Sequence, residues 1–137
     1  MAAPNIVNVA TITGITTFIA GINTGGDGVV ITENPAGVTT ILSNSAGSGK
    51  VLKVNSLVAA AIGATTGVTV NIYDKAAATG AGSTVSIGAT IAVPLNASVV
   101  VISKENSIYL EEDRSLGVFR QTNAGNIDVV LSYEDIS

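Results

Sequence analysis

The Gly-Ser-Gly-Lys stretch at residues 47–50 is the part of the sequence that comes nearest to a catalytic motif. A Walker A phosphate loop has Gly, four residues, then Gly-Lys-Ser/Thr, because the first Gly permits a tight turn and the hydroxyl group holds magnesium. Here Asn44 replaces that first Gly and Val51 replaces the hydroxyl residue. A phosphate loop also opens a helix, whereas residues 51–58 alternate as a strand does. We therefore interpret residues 43–51 as a Gly/Ser loop between two strands.

A second candidate is the acidic cluster Glu111-Glu112-Asp113, followed by Arg114. Carboxylates suit calcium or magnesium, but an EF-hand loop places its ligands at alternate positions around a fixed Gly. We expect the three consecutive acids to form a solvated cap on a turn, with Arg114 offsetting their repulsion, and a bound cation stays open as the alternative. Asp27, between two glycines, could also hold a cation, although Asp-Gly is foremost a turn signal.

Catalytic chemistry is sparse elsewhere in the chain. Glu111, Glu112, Glu134 and Asp135 could supply a carboxylate pair for glycoside hydrolysis, but their spacing does not place two of them across a cleft. The absence of Cys and His excludes disulfides, thiolate metal sites and Ser-His-Asp triads. We predict that the protein is not an enzyme and has no catalytic, cofactor-binding or metal-binding residues.

The charge balance limits the partners. The chain has six Lys and Arg residues against ten Asp and Glu residues, and it contains no run of basic residues. It also has no Trp and few other aromatic residues. Both features argue against nucleic-acid binding. Charged residues make up 12% of the chain, about half the usual share. Residues 1–49 contain no Lys or Arg, so we expect a partner to cover them, a neutral hydroxyl-rich surface being the alternative. No signal peptide or membrane span is recognisable, so we expect synthesis in a cytoplasm and no membrane association.

Short β-branched runs separated by Gly, Asn, Ser and Pro predict strands throughout. The predicted strands are 6–13, 16–22, 29–33, 38–43, 51–61, 68–73, 86–93, 98–103, 107–110, 115–122 and 127–133. This spacing predicts an all-β sandwich, either jelly-roll-like or Ig-like. We expect an assembly-related N-terminal β arm or hairpin at residues 1–49 and the sandwich at 50–137, and a single continuous sandwich stays open.

Alternation assigns faces to two strands. It predicts a half-buried strand at 68–73, with Val68, Val70 and Ile72 opposite Thr69, Asn71 and Tyr73. It predicts a second one at the C-terminal end, where one face carries Ile127, Val129, Leu131 and Tyr133 and the other carries Asp128, Val130, Ser132 and Glu134. Residues 99–102 are apolar on both faces, which predicts a central strand or one whose outer face meets another subunit. The alanine-rich runs at 57–62 and 75–78 are too short for stable helices, so we expect at most one helical turn near Lys75.

Several segments of this β pattern carry a resemblance to a known class of proteins. They are residues 3–9, 50–56, 68–73, 91–94, 110–117 and 128–137. Together they resemble small virion structural proteins of tailed bacteriophages, especially those of marine cyanophages. The resemblance implies a particle component without an active site, which binds the major capsid protein or other virion proteins and resides in the virion. It also implies a homo-oligomer, with a trimer as the stoichiometry typical of decoration proteins.

Within that class we expect a head decoration or cement protein that stabilises the capsid by protein–protein contacts. A tail or fibre component is the runner-up. A host-surface, carbohydrate-binding module is the rival from another class, and it would need an aromatic-lined groove or a defined cation site.

Overall fold

The computed structural model describes residues 9–25, 38–76 and 83–137, and within them nine strands form two antiparallel sheets packed face to face. The strands are Ile12–Ile22 (β1), Thr39–Asn44 (β2), Val51–Ile62 (β3), Thr66–Tyr73 (β4), Thr84–Val93 (β5), Ser98–Ile102 (β6), Ile108–Leu110 (β7), Arg114–Arg120 (β8) and Asn126–Ile136 (β9). The predicted all-β sandwich is confirmed.

Sheet A has the strand order β1-β9-β3-β6, and sheet B has the order β2-β8-β4-β5. The long strand β3 pairs with β9 on one side, and on its other side with β7 through its first half and β6 through its second half. Strands β1 and β6 are therefore the outermost members of the main path of sheet A, and β2 and β5 those of sheet B. The sequence predicts either a central strand for residues 99–102 or one whose outer face meets another subunit. These residues lie in β6, which is an edge strand and not a central one.

Most predicted strands are found within one or two residues of their predicted bounds, because the β-branched runs and their turn residues act locally. Strand β1 differs, since it continues through Gly14 and Ile15 where the sequence predicts a break. Its pairing with β9 runs without a gap from Ile12 to Ile19 and holds these two residues extended. The predicted strand 29–33 and residues 6–8 of the predicted strand 6–13 lie outside the described residues, and residues 9–11 precede β1, which begins at Ile12.

Helical structure is minor in the described part of the chain. Residues 74–76 form bends, and the turn of 3-10 helix lies at Lys104–Asn106. No helix there has the length and apolar character needed to cross a membrane.

The core lies between the two sheets and takes its largest aliphatic side chains from both. Its fully buried members include Leu57, Ile102, Leu110, Leu116, Ile127 and Leu131. The alternation predicted for β9 is confirmed, because Ile127, Val129 and Leu131 are buried while Val130 is exposed.

The half-buried assignment of β4 is wrong, because both faces of this strand are buried. Val68 and Val70 face the core as predicted, but Thr69, Asn71 and Tyr73 are also inaccessible to solvent. The Thr69 hydroxyl accepts a hydrogen bond from the Thr90 backbone at 2.9 Å. Tyr73 packs with Val38 and Phe119 in a second apolar cluster. Chain segments distant in sequence thus cover the face that alternation assigns to solvent.

The N-terminal segment contributes strands to both sheets. Strand β1 pairs with β9 and β2 pairs with β8, and Ile22, Ile41 and Leu42 are part of the core. Whether residues 50–137 fold without residues 1–49 stays a prediction that a truncated chain can test.

Candidate functional site

The loop that resembles a phosphate-binding motif contains a concave row of backbone donors. Gly47 and Gly49 have φ angles of +73° and +70°, which glycine adopts without the steric cost that other residues meet. Backbone N–H groups turned in this way form an anion-binding concavity. They donate to the two carboxylate oxygens of Glu112, at 3.0 Å from Gly47 and 2.9 Å from Gly49. The donors that would bind a phosphate therefore bind a carboxylate of the same chain.

Asn44, which occupies the place of the first Walker A glycine, closes this loop. Its buried side-chain amide donates to the carbonyl oxygens of Lys50 at 2.9 Å and Leu110 at 3.0 Å. Its Oδ1 accepts a hydrogen bond from the Ser48 hydroxyl at 2.6 Å. The Lys50 ammonium group lies 2.8 Å from Asp135, and strand β3 begins at the next residue. The residue that breaks the nucleotide motif thus has a structural role in the loop.

The acidic turn does not gather its three carboxylates around one point. Glu111 lies 3.5 Å from Arg114, as the sequence predicts, while the middle carboxylate binds the glycine loop. Asp113 accepts a hydrogen bond from the Ala76 backbone at 3.0 Å and lies 3.2 Å from the Lys75 ammonium group. These two donors lower the pKa of Asp113, the backbone hydrogen bond contributing most. Within the described ranges, no group of three or more acidic side chains could hold a metal ion.

Glu134 and Asp135, the other two candidate carboxylates, each form an ion pair with a different lysine. Glu134 pairs with Lys53 at 3.7 Å. An open groove of about 240 Å³ lies nearby, and its lining includes Asn44, Lys50, Tyr133 and Asp135. Asp135 is the only acid that lines this groove, so the four carboxylates considered for glycoside chemistry do not face each other across it. Asp27 lies outside the described residues.

The outer face of sheet A carries an exposed apolar row that sequence reasoning did not assemble. The strand register aligns Phe18 of β1 with Val130 of β9, Val58 of β3 and Val100 of β6. Phe18 is 74% exposed, Val100 60% and Val130 46%. Four strands spaced about 4.8 Å apart make this row about 14 Å wide. We call these four residues the outer-face row.

Polar groups flank the outer-face row, and the charges among them have partners. On one side lie the hydroxyl residues Thr16 and Ser132, which hydrogen-bond each other at 3.1 Å. On the other side the Asp128 carboxylate accepts a hydrogen bond from the Gly21 backbone at 2.8 Å. An exposed aromatic and β-branched patch with a polar rim is typical of a protein-binding surface. The apolar run at 99–102 was the sequence signal for it, through Val100.

No family model and no curated protein matches this sequence. Among solved structures, a chain from the disulfide-linked pili of Bacillus endospore appendages is similar in fold, with a TM-score of 0.50 and 14% sequence identity. The match covers 100% of this chain and 96% of the pilus chain. At this identity the likeness concerns the fold alone. The present chain has no cysteine, so it contains no side chain that could form a disulfide link.

Proposed function

We propose that the protein is a structural subunit of a phage particle, and more specifically a decoration or cement protein that binds the head surface through the outer face of sheet A. The observation that carries this proposal is the outer-face row, which presents Phe18, Val130 and Val100 to solvent on a regular sheet. The sequence resemblance to small virion proteins of tailed phages is the reason for proposing that this particle is a phage. The carboxylates that could have served catalysis are instead used in pairs and loop contacts.

The internal charge pairing favours contact through apolar surface. Lys50, Lys53, Lys75 and Arg114 each lie within 4 Å of a carboxylate of the same chain. Few basic groups are thus left for long-range attraction to an oppositely charged partner. Full burial of a Val or Phe side chain contributes about 1.5–3 kcal/mol, so covering the row provides a favourable contribution at every site that a repeated subunit occupies on a shell. The partner is accordingly a capsid surface with its own apolar patch.

The test measures binding to heads from which decoration protein has been stripped, prepared from the phage that encodes the chain. Val100→Lys and Val130→Lys place a charge in the outer-face row at positions that are exposed, so folding is preserved. Each is expected to weaken head binding by about tenfold or more, because a charge must be desolvated on docking. Val85→Lys is the matched control, since Val85 is 62% exposed but lies on edge strand β5 of sheet B.

Three results would count against the proposal. If Val85→Lys weakens head binding and the row variants do not, the docking surface is wrong. If the native protein does not bind heads at all and is instead recovered with purified tails, the tail or fibre function replaces the decoration function. Binding to host-surface glycans without binding to any virion fraction would support the carbohydrate-binding alternative.

A further inference from the structure

The backbone of strand β1 directs a set of hydrogen-bonding groups away from β9, toward the outer edge of sheet A as the described strands form it. Thr11 and Ser137 exchange two backbone hydrogen bonds, at 3.0 and 3.1 Å, so they form a hydrogen-bonded pair of the antiparallel ladder. Such pairs alternate with pairs whose N–H and C=O groups point away from the partner strand. The register from Ile12 to Ile19 is uninterrupted. The outward-pointing residues are therefore Ile12, Gly14, Thr16 and Phe18, and within the described part of the chain β9 is the strand that pairs with β1.

The outermost strands of the two sheets differ in how open they are to pairing. Strand β5 contains two register irregularities and a residue, Thr90, at φ +48°. Strand β2 is six residues long with an irregularity, and β6 has five residues. Strand β1 has eleven residues, with no charge and no proline. Bulges, short length, charge and proline are the features that protect sheet edges from pairing, and β1 has none of them between Ile12 and Ile19.

We infer that β1 pairs with β1 of a second copy of this chain, in antiparallel register about a two-fold axis at Ile15. In this register Ile12 faces Phe18 of the second copy and Gly14 faces its Thr16, and the symmetry repeats both pairs. All four outward-pointing residues of each copy then exchange hydrogen bonds, two in each of four residue pairs. Shifting the register by two residues in either direction leaves outward-pointing groups at the ends of the set without a partner.

The side chains fit the same register. Ile12 is 61% exposed and Phe18 is 74% exposed, and both lie on the outer face of sheet A. The two-fold places each Ile12 directly opposite a Phe18, and aromatic and β-branched side chains form favourable cross-strand pairs. This pairing of Ile12 with Phe18 arises when β1 is aligned antiparallel to a second copy of β1. It therefore identifies a second copy of this chain as the occupant of the edge, since an unrelated strand would supply backbone groups without this pairing of exposed side chains.

The resulting dimer contains one continuous sheet in the order β6-β3-β9-β1, followed by the same strands of the second copy in reverse. The outer-face row of one copy then continues at the exposed Ile12 of the other copy, which lies directly opposite Phe18. The interface is isologous and closes on two copies. It goes beyond the proposed function, because pairing at β1 does not depend on which particle surface the outer face binds.

Cysteine cross-linking tests the register in the full chain. The native chain has no cysteine, so Ile12→Cys and Phe18→Cys each introduce a single thiol. When the two variants are mixed and oxidised, we expect a cross-linked dimer, because facing Cα atoms in a hydrogen-bonded pair lie about 5.5 Å apart, within disulfide range. Each variant alone places its two thiols about 20 Å apart, six residues along the strand, and should remain uncross-linked.

Sedimentation of charge variants separates edge pairing from face packing. Phe18→Lys should raise the dimer dissociation constant by about tenfold or more, since the two-fold axis introduces the lysine twice and removes two cross-strand pairs. Val100→Lys alters the same outer-face row at the opposite edge and should leave the dissociation constant unchanged. Gly14→Pro, which removes an outward N–H group and no N–H bonded to β9, is a second edge variant and should also weaken the dimer.

Three results would overturn the inference. They are a native chain that sediments as a monomer at all accessible concentrations, cross-linking of Ile12→Cys with itself, and a dimer that Val100→Lys dissociates while Phe18→Lys does not. Head binding is measured separately. A chain that dimerises without binding heads keeps the β1 interface and loses the decoration function, and a monomer that binds heads does the reverse.

Discussion

Replacing Glu112 by Gln tests whether the carboxylate of this residue holds the glycine loop. The substitution keeps the shape of the side chain but removes its charge and one of its two acceptor oxygens. One of the N–H groups of Gly47 and Gly49, which lie 3.0 and 2.9 Å from the carboxylate, then faces an amide NH2 group. A hydrogen bond to a charged group contributes about 1.5–3 kcal/mol. Because this site is partly open to solvent, we expect the free energy of unfolding to fall by about 1–2 kcal/mol.

The neighbouring substitution Glu111→Gln is the matched control. Glu111 lies 3.5 Å from Arg114, and both side chains are 42% exposed. A surface ion pair of this kind contributes about 0–1 kcal/mol. The control therefore makes the same chemical change in the same turn and removes only a weak contact.

Urea unfolding followed by far-ultraviolet circular dichroism measures the difference. With an m-value of about 2 kcal/mol/M, in the middle of the usual range, the unfolding midpoint of Glu112→Gln should fall by about 0.5–1 M, and that of Glu111→Gln by much less. Amide hydrogen exchange gives a local readout. The amides of Gly47 and Gly49 should exchange about tenfold faster in Glu112→Gln, since about 1.4 kcal/mol corresponds to a factor of ten.

Equal midpoint shifts in the two variants, or unchanged exchange at both glycine amides, would refute this reasoning. The loop donors would then be free of Glu112, and an external anion could compete for them.

Other predictions concern the core, the phenol of Tyr73, the N-terminal segment and the glycine loop. Leu131→Ala should lower the free energy of unfolding by about 2–5 kcal/mol because it leaves a cavity in the core, whereas Val130→Ala on the exposed face should cost less than about 1 kcal/mol; equal midpoint shifts in urea would contradict the face assignment of β9. Burial raises the pKa of Tyr73, and a hydrogen bond from its neighbour Asn71 opposes this in part. The neutral phenol therefore stabilises the fold below the unfolded pKa near 10, and this contribution is lost as the pH rises above that value, so Tyr73→Phe should make the unfolding midpoint less sensitive to pH between about 9 and 11. Deletion of residues 1–45 removes β1 and β2 and should abolish cooperative thermal unfolding, while a truncated chain that melts cooperatively and no longer binds heads would support a separate arm. Calorimetry should detect no magnesium-dependent binding of ATP, and micromolar binding that Lys50→Ala abolishes would restore the nucleotide hypothesis.

The positions of the strands could be predicted from the sequence because the signals for them are local. Alternating β-branched residues bounded by Gly, Pro and Asn fix an extended segment whatever it later pairs with, and β3 was predicted to within one residue. The rejection of the nucleotide motif was equally local, since Asn44 and Val51 are incompatible with it in any fold. The all-β class followed from the number and spacing of such segments.

The partner of each strand and the burial of its second face depend on residues far away in the chain. Alternation in β4 could not show that Thr69 and Tyr73 are covered, because the covering groups, Thr90 and Phe119, belong to other strands. The apolar run in β6 is compatible both with a buried strand and with an edge strand whose outer face is exposed. The location of Val100 at an edge could therefore be known only from the order of the strands in the sheet.

The contacts that define the candidate surfaces were also decided by tertiary structure. Glu112 reaches Gly47 across 65 residues, and no spacing rule connects an acidic turn with a distant glycine loop. The outer-face row joins residues of four strands whose relative register is set by packing of the two sheets, since sliding a strand by one residue would turn its apolar side chains to the other face. The sequence by itself determined which segments are extended and which chemistry is missing. Only the folded sheets determined which side chains lie together at the surface, because pairing across a sheet depends on long-range burial and not on local conformation.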